Sequence, residues 1–121
     1  MPRVAINGLG RIGKLLLRAF ADGGMPGEIV LLNDPVGDAA QHAHLLEFDT
    51  VHGRWPGRVE AGEGEIILDG TPIRLTAARA LSDLPLAEMG VELVVDCTGV
   101  FKTGAKIAPY FEAGVEKVVV S

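Results

Sequence analysis

Cysteine is nearly absent: Cys97 stands alone, so no disulfide can close within the chain. That fits a reducing compartment. Basic charge is scarce too, with 11 Lys and Arg against 16 Asp and Glu and a formal net charge of −5. This balance argues against a nucleic-acid partner held by a broad basic surface, while leaving room for a local phosphate pocket. No apolar run approaches the roughly 18 residues that a bilayer-spanning helix needs. The opening Met-Pro-Arg-Val-Ala-Ile-Asn-Gly lacks the long apolar stretch and small-residue cleavage site of a signal peptide. Internal repeats, low-complexity segments and linkers are missing as well. The expectation is one soluble, cytoplasmic domain with no membrane and no nucleic acid as partner.

What is present is a strand, turn, helix pattern, in a chain that is 48% apolar and 22% charged. Val4 to Asn7 is a β-branched run closed by Gly8 and Gly10. From Ile12 the period changes: Ile12, Leu15, Leu16, Ala19 and Phe20 fall at helical spacing, with Lys14 and Arg18 toward the other side. Gly23-Gly24 and Pro26-Gly27 end that helix, and Ile29 to Leu32 is a second strand closed by the turn signal Asn33-Asp34-Pro35. Asp38 is placed to cap a helix through Ala39, Ala40, Ala43, Leu45 and Leu46. Between Val51 and Thr76 glycines crowd the sequence. There Arg58–Glu60, Glu65–Leu68 and Ile73–Thr76 read as short antiparallel strands, with Asp69-Gly70 as a hairpin turn. A short helical turn is expected in Ser82–Glu88, a strand at Leu93–Val95, a helix at Gly104–Ala113 and a last strand at Lys117–Val120. Uninterrupted apolar strands alternating with amphipathic helices predict an α/β fold: a doubly wound parallel sheet covered on both faces, with a small antiparallel insertion near residues 58–76. The chain stops at Ser121, directly after an apolar strand, whereas domains usually end at weakly tied positions. The expectation is therefore a truncated domain over residues 1–121.

Gly8-Leu9-Gly10-Arg11-Ile12-Gly13 matches G-x-G-x-x-G, a weak signal alone among 16 glycines. Its context strengthens it. It follows a strand, opens a helix, and has an acid, Asp34, at the end of the next strand, 21 residues after Gly13. Gly8 permits a tight turn, Gly10 lets backbone approach a pyrophosphate, and Gly13 lets the helix pack closely. The helix start offers unpaired N–H groups and partial positive charge to phosphates, and Arg11 adds a full charge. Asp34 is placed to accept from adenosine ribose hydroxyls and would repel a 2′-phosphate, so NAD is favoured over NADP. A turn cap beside Pro35 is the plain alternative for Asp34.

Ligands of open α/β sheets bind at strand carboxyl ends. Thr98-Gly99 and Ser121 both follow strands on the same edge, and either cofactor contact or simple strand termination suits them. Cys97 lacks an adjacent base, and Asp96 would raise its pKa, so a small buried residue is expected rather than a nucleophile. His42 and His44, two apart, fall on different helix faces; with His52, Glu47 and Asp49 they match no recognised ligand spacing, and no metal site is expected. Phe48 and Trp55 read as local packing.

Four stretches resemble the glyceraldehyde-3-phosphate dehydrogenases: Ala5–Gly13, Phe48–Arg54, Asp96–Phe101 and Gly114–Ser121. They run in order over the whole chain at the family's spacings. Asn33–Asp49, together with Phe101–Thr103 and Ala108–Phe111, looks like the arsenic-resistance-associated form, which is thought to use arsenate in place of phosphate and to hand its product to a permease. The resemblance implies a Rossmann-type NAD-binding domain. By matching position, Arg11 and Ile12 would contact the pyrophosphate, Asp34 the adenosine ribose and Arg79 the adenine side. Thr98, Gly99, Phe101 and Ser121 would line the middle of the cofactor and the nicotinamide. Ala78-Arg79-Ala80-Leu81 departs from the family's common Glu-Arg-Asp-Pro, which weakens the adenine contact, and Leu9 stands where Phe is frequent.

The resemblance also implies glycolytic oxidation of a small phosphorylated aldehyde through a cysteine-bound intermediate, in a homo-oligomer, a tetramer. The family's Ser-Cys-Thr-Thr-Asn motif falls beyond Ser121. No catalytic residue is therefore expected among these 121, and the chain alone is expected to bind NAD and turn nothing over. Erythrose-4-phosphate dehydrogenase shares fold and cofactor and is the enzymatic alternative. A non-catalytic NAD-binding module is the other, if Ser121 is the natural C-terminus.

Overall fold

A computed structural model describes residues 2–21, 23, 27–48, 58–99 and 104–120. Its strands are β1 (Arg3–Asn7), β2 (Glu28–Asn33), β3 (Val59–Gly62), β4 (Glu65–Leu68), β5 (Thr71–Thr76), β6 (Leu93–Asp96) and β7 (Lys117–Val120). The helices are α1 (Arg11–Ala21), α2 (Ala39–Glu47) and α3 (Gly104–Glu112). They form one seven-stranded sheet in the order β3-β4-β5-β2-β1-β6-β7. β5, β2, β1, β6 and β7 run parallel, while β3 and β4 run antiparallel to their neighbours. The glycine-rich stretch is thus not a separate sheet. β5 closes a hairpin with β4 and also pairs with β2 through Leu31–Asn33 and Arg74–Thr76. That hairpin turns at Asp69 and Gly70, with φ of 51° and 85°, the left-handed pair that a two-residue primed turn demands. The expected helical turn in Ser82–Glu88 is a 3₁₀ turn at Leu81–Asp83, followed by a bend at Leu84 and a hydrogen-bonded turn over residues 86–90.

Period-two alternation sends each central strand into two cores. On one face Ile6, Leu9, Leu32 and Ile66 pack with Leu17 of α1 and Leu46 of α2. On the other, Ala5, Leu31 and Val94 pack with Leu81, Leu84, Leu86 and with Tyr110 of α3. Each fully buried Leu or Ile contributes roughly 1.5–3 kcal/mol. Asp38 caps α2 as expected: its Oδ1 accepts from Gln41 N at 2.8 Å, and Gln41 Oε1 accepts from Asp38 N at 3.0 Å.

α1 corrects the sequence expectation. Lys14 and Arg18 are buried at 8% exposure each, while Ile12 and Leu15 are 53% and 42% exposed. The reason is Gly13, which must face inward for the helix to sit where it does, and 100° per residue then carries Leu17 and Phe20 in with it. Lys14 and Arg18 flank that stripe and spend their charges on carbonyls: Lys14 Nζ donates to Leu9 O, and Arg18 Nη2 donates to Leu46 O at 2.8 Å. Among the described residues no helix is long and apolar enough to cross a membrane.

Candidate functional site: the carboxyl edge of the sheet

β1 lies between β2 and β6, and the chain leaves it toward β2 and returns later to β6. Such a reversal opens a crevice at the strand carboxyl ends. The loops there are Gly8–Gly10, Asp34–Gly37, Ala77–Ala80 and Cys97–Gly99.

The three glycines of the first loop serve different ends. Gly8 has φ of 100°, and a Cβ there would lie 2.8 Å from the Cys97 carbonyl carbon. Gly13 is tighter: a Cβ would lie 2.0 Å from the Gly8 carbonyl oxygen. Its constraint is the loop more than the sheet, since the nearest sheet atom, in the Ile6 side chain, would be 3.7 Å away. Gly10 has neither problem. Its φ is not left-handed, and a Cβ would meet nothing within 4 Å. The space beside it is open, and it adjoins the first turn of α1, where Lys14 N already donates to Gly10 O at 3.0 Å. Arg11 and Ile12, the first residues of α1, are exposed there. Leu9, where the resemblance finds Phe frequent, is buried at 1% exposure in the apolar core.

Asp34 ties two loops together. Its Oδ2 accepts from Leu9 N at 2.8 Å and its Oδ1 from Val36 N at 2.9 Å. The turn cap and the reach to the glycine loop are therefore made by one side chain. A carboxylate offers about four lone-pair sites, so two protein bonds leave capacity for ribose hydroxyls. The rim on the β5 side is held through Asn33, which accepts from Ala78 N at 2.8 Å and donates to Ala78 O at 3.0 Å. Arg79, exposed, follows this pinned residue. On the β6 side, Thr98 N and Oγ1 both donate to Asp96 Oδ1, at 3.0 and 2.7 Å. Gly99 has φ of 74° and open space where a Cβ would stand. Gly8, Gly10, Arg11, Ile12, Gly13, Asp34, Arg79, Thr98 and Gly99 thus gather on one edge. Phe101 and Ser121 lie outside the described residues, as does most of Phe48–Arg54.

Cys97 is half-buried beside this edge. Burial, and then the Asp96 charge, push its thiol up from 9.0 to about 11. The sequence foresaw the Asp96 contribution but not that burial is the larger cause. Alkylation by iodoacetamide should consequently rise about tenfold per pH unit from pH 7 to 10 without levelling, since the thiolate is the nucleophile. A rate that flattens near pH 9 would mean an ordinary, accessible thiol.

His42 and His44 diverge as their spacing predicts. His42 is buried, its Nε2 2.8 Å from Val36 O and its Nδ1 3.2 Å from Lys14 Nζ. His44 is exposed and packs on Phe48 with ring centroids 5.0 Å apart. A cleft of about 320 Å³ near Phe20, Ile29 and Leu68 lies at the opposite, amino end of the strands and takes no part in this edge.

Sequence reasoning missed Asn7, Asn33 and Tyr110, which are buried beneath the loops. One signal was available: Asn7, Asn33 and Asp96 each close an apolar strand with a polar residue.

Comparison with known proteins agrees with this geometry. Residues 2–104 match the family described as the glyceraldehyde 3-phosphate dehydrogenase, NAD binding domain. Glyceraldehyde-3-phosphate dehydrogenase 3 of Nostoc sp. is 47% identical over 120 residues, 98% of this chain and 35% of that protein. The plasmid glyceraldehyde-3-phosphate dehydrogenase of Cupriavidus necator is 45% identical over 121 residues, 98% of this chain and 36% of its own length. That of Thermotoga maritima is 42% identical over 122 residues, all of this chain and 36% of its own. The chain spans about a third of the length of these curated relatives.

Proposed function

Since the chain belongs to the glyceraldehyde-3-phosphate dehydrogenase family and matches its NAD-binding domain, we propose that it is the cofactor-holding part of a cytoplasmic, NAD-dependent aldehyde dehydrogenase. The observation that carries this reading is Gly10. Nothing among the described residues requires a glycine there, yet its missing Cβ leaves open space beside a helix N-terminus, where a pyrophosphate fits. Arg11 and Ile12 stand at that helix start, and Asp34, at the end of β2, is positioned for a ribose diol and against a 2′-phosphate. Arg79 borders the adenine side. Thr98 and Gly99 border the half of the dinucleotide beyond the pyrophosphate, joined by Phe101 and Ser121 from the resemblance.

When bound, the nicotinamide accepts hydride from the aldehyde. The residues described here hold and orient the cofactor and supply no nucleophile, since Cys97 is kept protonated. The aldehyde-binding and nucleophilic groups belong to the remaining two-thirds of a protein of the relatives' length.

The test is turnover by the intact protein. Glyceraldehyde 3-phosphate with NAD and either phosphate or arsenate should yield NADH, while residues 1–121 alone should bind NAD without turnover. Arsenate and phosphate are near-isosteric anions, so turnover with both is expected, and only a clear preference for arsenate would mark the arsenic-associated form. Faster oxidation of erythrose 4-phosphate would replace the aldehyde assigned here. NAD binding without any turnover would leave a binding module.

A further inference from the structure

A buried hydrogen-bond chain runs beneath the cleft, and its direction is fixed from one end. The Asp96 carboxylate can only accept. Its Oδ2 lies 2.6 Å from the Tyr110 hydroxyl, which must therefore donate. That hydroxyl accepts in turn from Asn7 Nδ2 at 2.8 Å, and Asn7 Oδ1 accepts from Asn33 Nδ2 at 2.8 Å. Asn33 Oδ1 then receives Thr76 Oγ1 at 2.6 Å and Ala78 N at 2.8 Å. Asn7, Asn33, Asp96 and Tyr110 are each 4% exposed or less. The series joins β5, β2, β1 and β6, and Tyr110 is its member from α3. Burial raises the Tyr110 phenol well above its ordinary range, so it stays a donor.

The two ends of the chain are the two rims of the cleft. At one, Asn33 pins Ala78; at the other, Asp96 Oδ1 pins Thr98 through both backbone and side chain. With the pyrophosphate at the loop after β1 and the adenosine ribose at Asp34 after β2, the other half of the dinucleotide falls over β6, against Thr98–Gly99. Engagement of its second oxygen by Tyr110 fixes the plane in which Asp96 presents Oδ1 to that turn. Without the Tyr110 hydroxyl, the carboxylate is free to rotate and Asn7 Nδ2 is left buried without an acceptor.

We propose that Tyr110 is a positioning residue for dinucleotide binding: acting through Asp96, it sets the Thr98–Gly99 turn that receives the half of NAD beyond the pyrophosphate. The inference rests on the NAD-binding reading of this edge. Its effect is selective for part of the ligand. ADP reaches the glycine loop and Asp34 and stops there, whereas NAD continues over β6.

The experiment titrates NAD and ADP separately against the intact protein and its Tyr110→Phe variant. The dissociation constant for NAD should rise about tenfold, because binding must then reorder the loosened Thr98–Gly99 turn. That for ADP should stay within about twofold. Asp96→Asn is the second variant, usable even if Tyr110→Phe does not fold. An amide keeps one acceptor oxygen where Asp96 uses two, so either the Tyr110 hydroxyl or the Thr98 N–H loses its acceptor, and the same loss confined to NAD is expected. A residue that merely supports the fold would weaken both ligands together, and parallel losses, or no loss for NAD, overturn the proposal. If the unsubstituted protein binds neither ligand, the reading of the cleft fails, and this proposal with it.

Discussion

Gly13→Ala should destabilise the protein by at least about 3 kcal/mol, the upper range for forcing one methyl into a closed space. A Cβ at residue 13 would sit 2.0 Å from the Gly8 carbonyl oxygen and 3.0 Å from its carbon. Both are backbone atoms, so no side chain can turn aside. Gly8 cannot retreat either, because its N donates to Asn33 O at 2.7 Å and it abuts the Cys97 peptide. Either α1 lifts off the sheet, uncovering Leu17 and Phe20, or the loop is remade. Urea denaturation measures the outcome: the midpoint should fall by roughly 1–3 M, given slopes of about 1–3 kcal/mol per molar for small proteins. A midpoint within a few tenths of a molar of the parent would show that the loop and helix do not meet as described.

Gly10→Ala should do the reverse, leaving stability within about 0.5 kcal/mol while weakening NAD by about tenfold to a hundredfold. The methyl would enter open space, and the backbone there is not left-handed, so the free protein has no reason to resist it. Only a ligand lying against the loop would feel the change. Calorimetric titration with NAD, run beside the same urea curve, separates the two effects. Unchanged NAD affinity would mean that the cofactor does not approach residue 10, and would remove the main support for the site proposed here. Two alanine substitutions three residues apart, one damaging the fold and the other the binding, form a contrast that general destabilisation cannot imitate.

The strands were largely legible because β-branched runs such as Ile29–Leu32 and Leu93–Val95 are short, apolar and bounded by turn residues. Asp38 gave the start of α2 in the same local way, and Gln41, which completes the capping box, was not read. The glycine loop and Asp34 were readable as a pair because a strand, a helix and a second strand fix their separation. What escaped is not local. The inward face of α1 is decided by contact between Gly13 and Gly8, and a count of apolar positions chose Ile12 and Leu15 instead. β5 pairs with β4 in one sense and β2 in the other, and a period-two pattern carries no record of partner direction. The buried polar chain joins residues 26 and 103 positions apart, so no spacing rule reaches it.

That last separation has a consequence for synthesis. The Asn7 side chain leaves the ribosome 103 residues ahead of the hydroxyl that satisfies it. At about 5–20 residues per second, the wait is roughly 5–20 s. β1 can join β2 soon, but its other edge stays open until β6 arrives, with Val4 opposite Leu93 in the finished sheet. β1 is thus completed late, and throughout that interval its bare edge is open to pairing with the wrong chain.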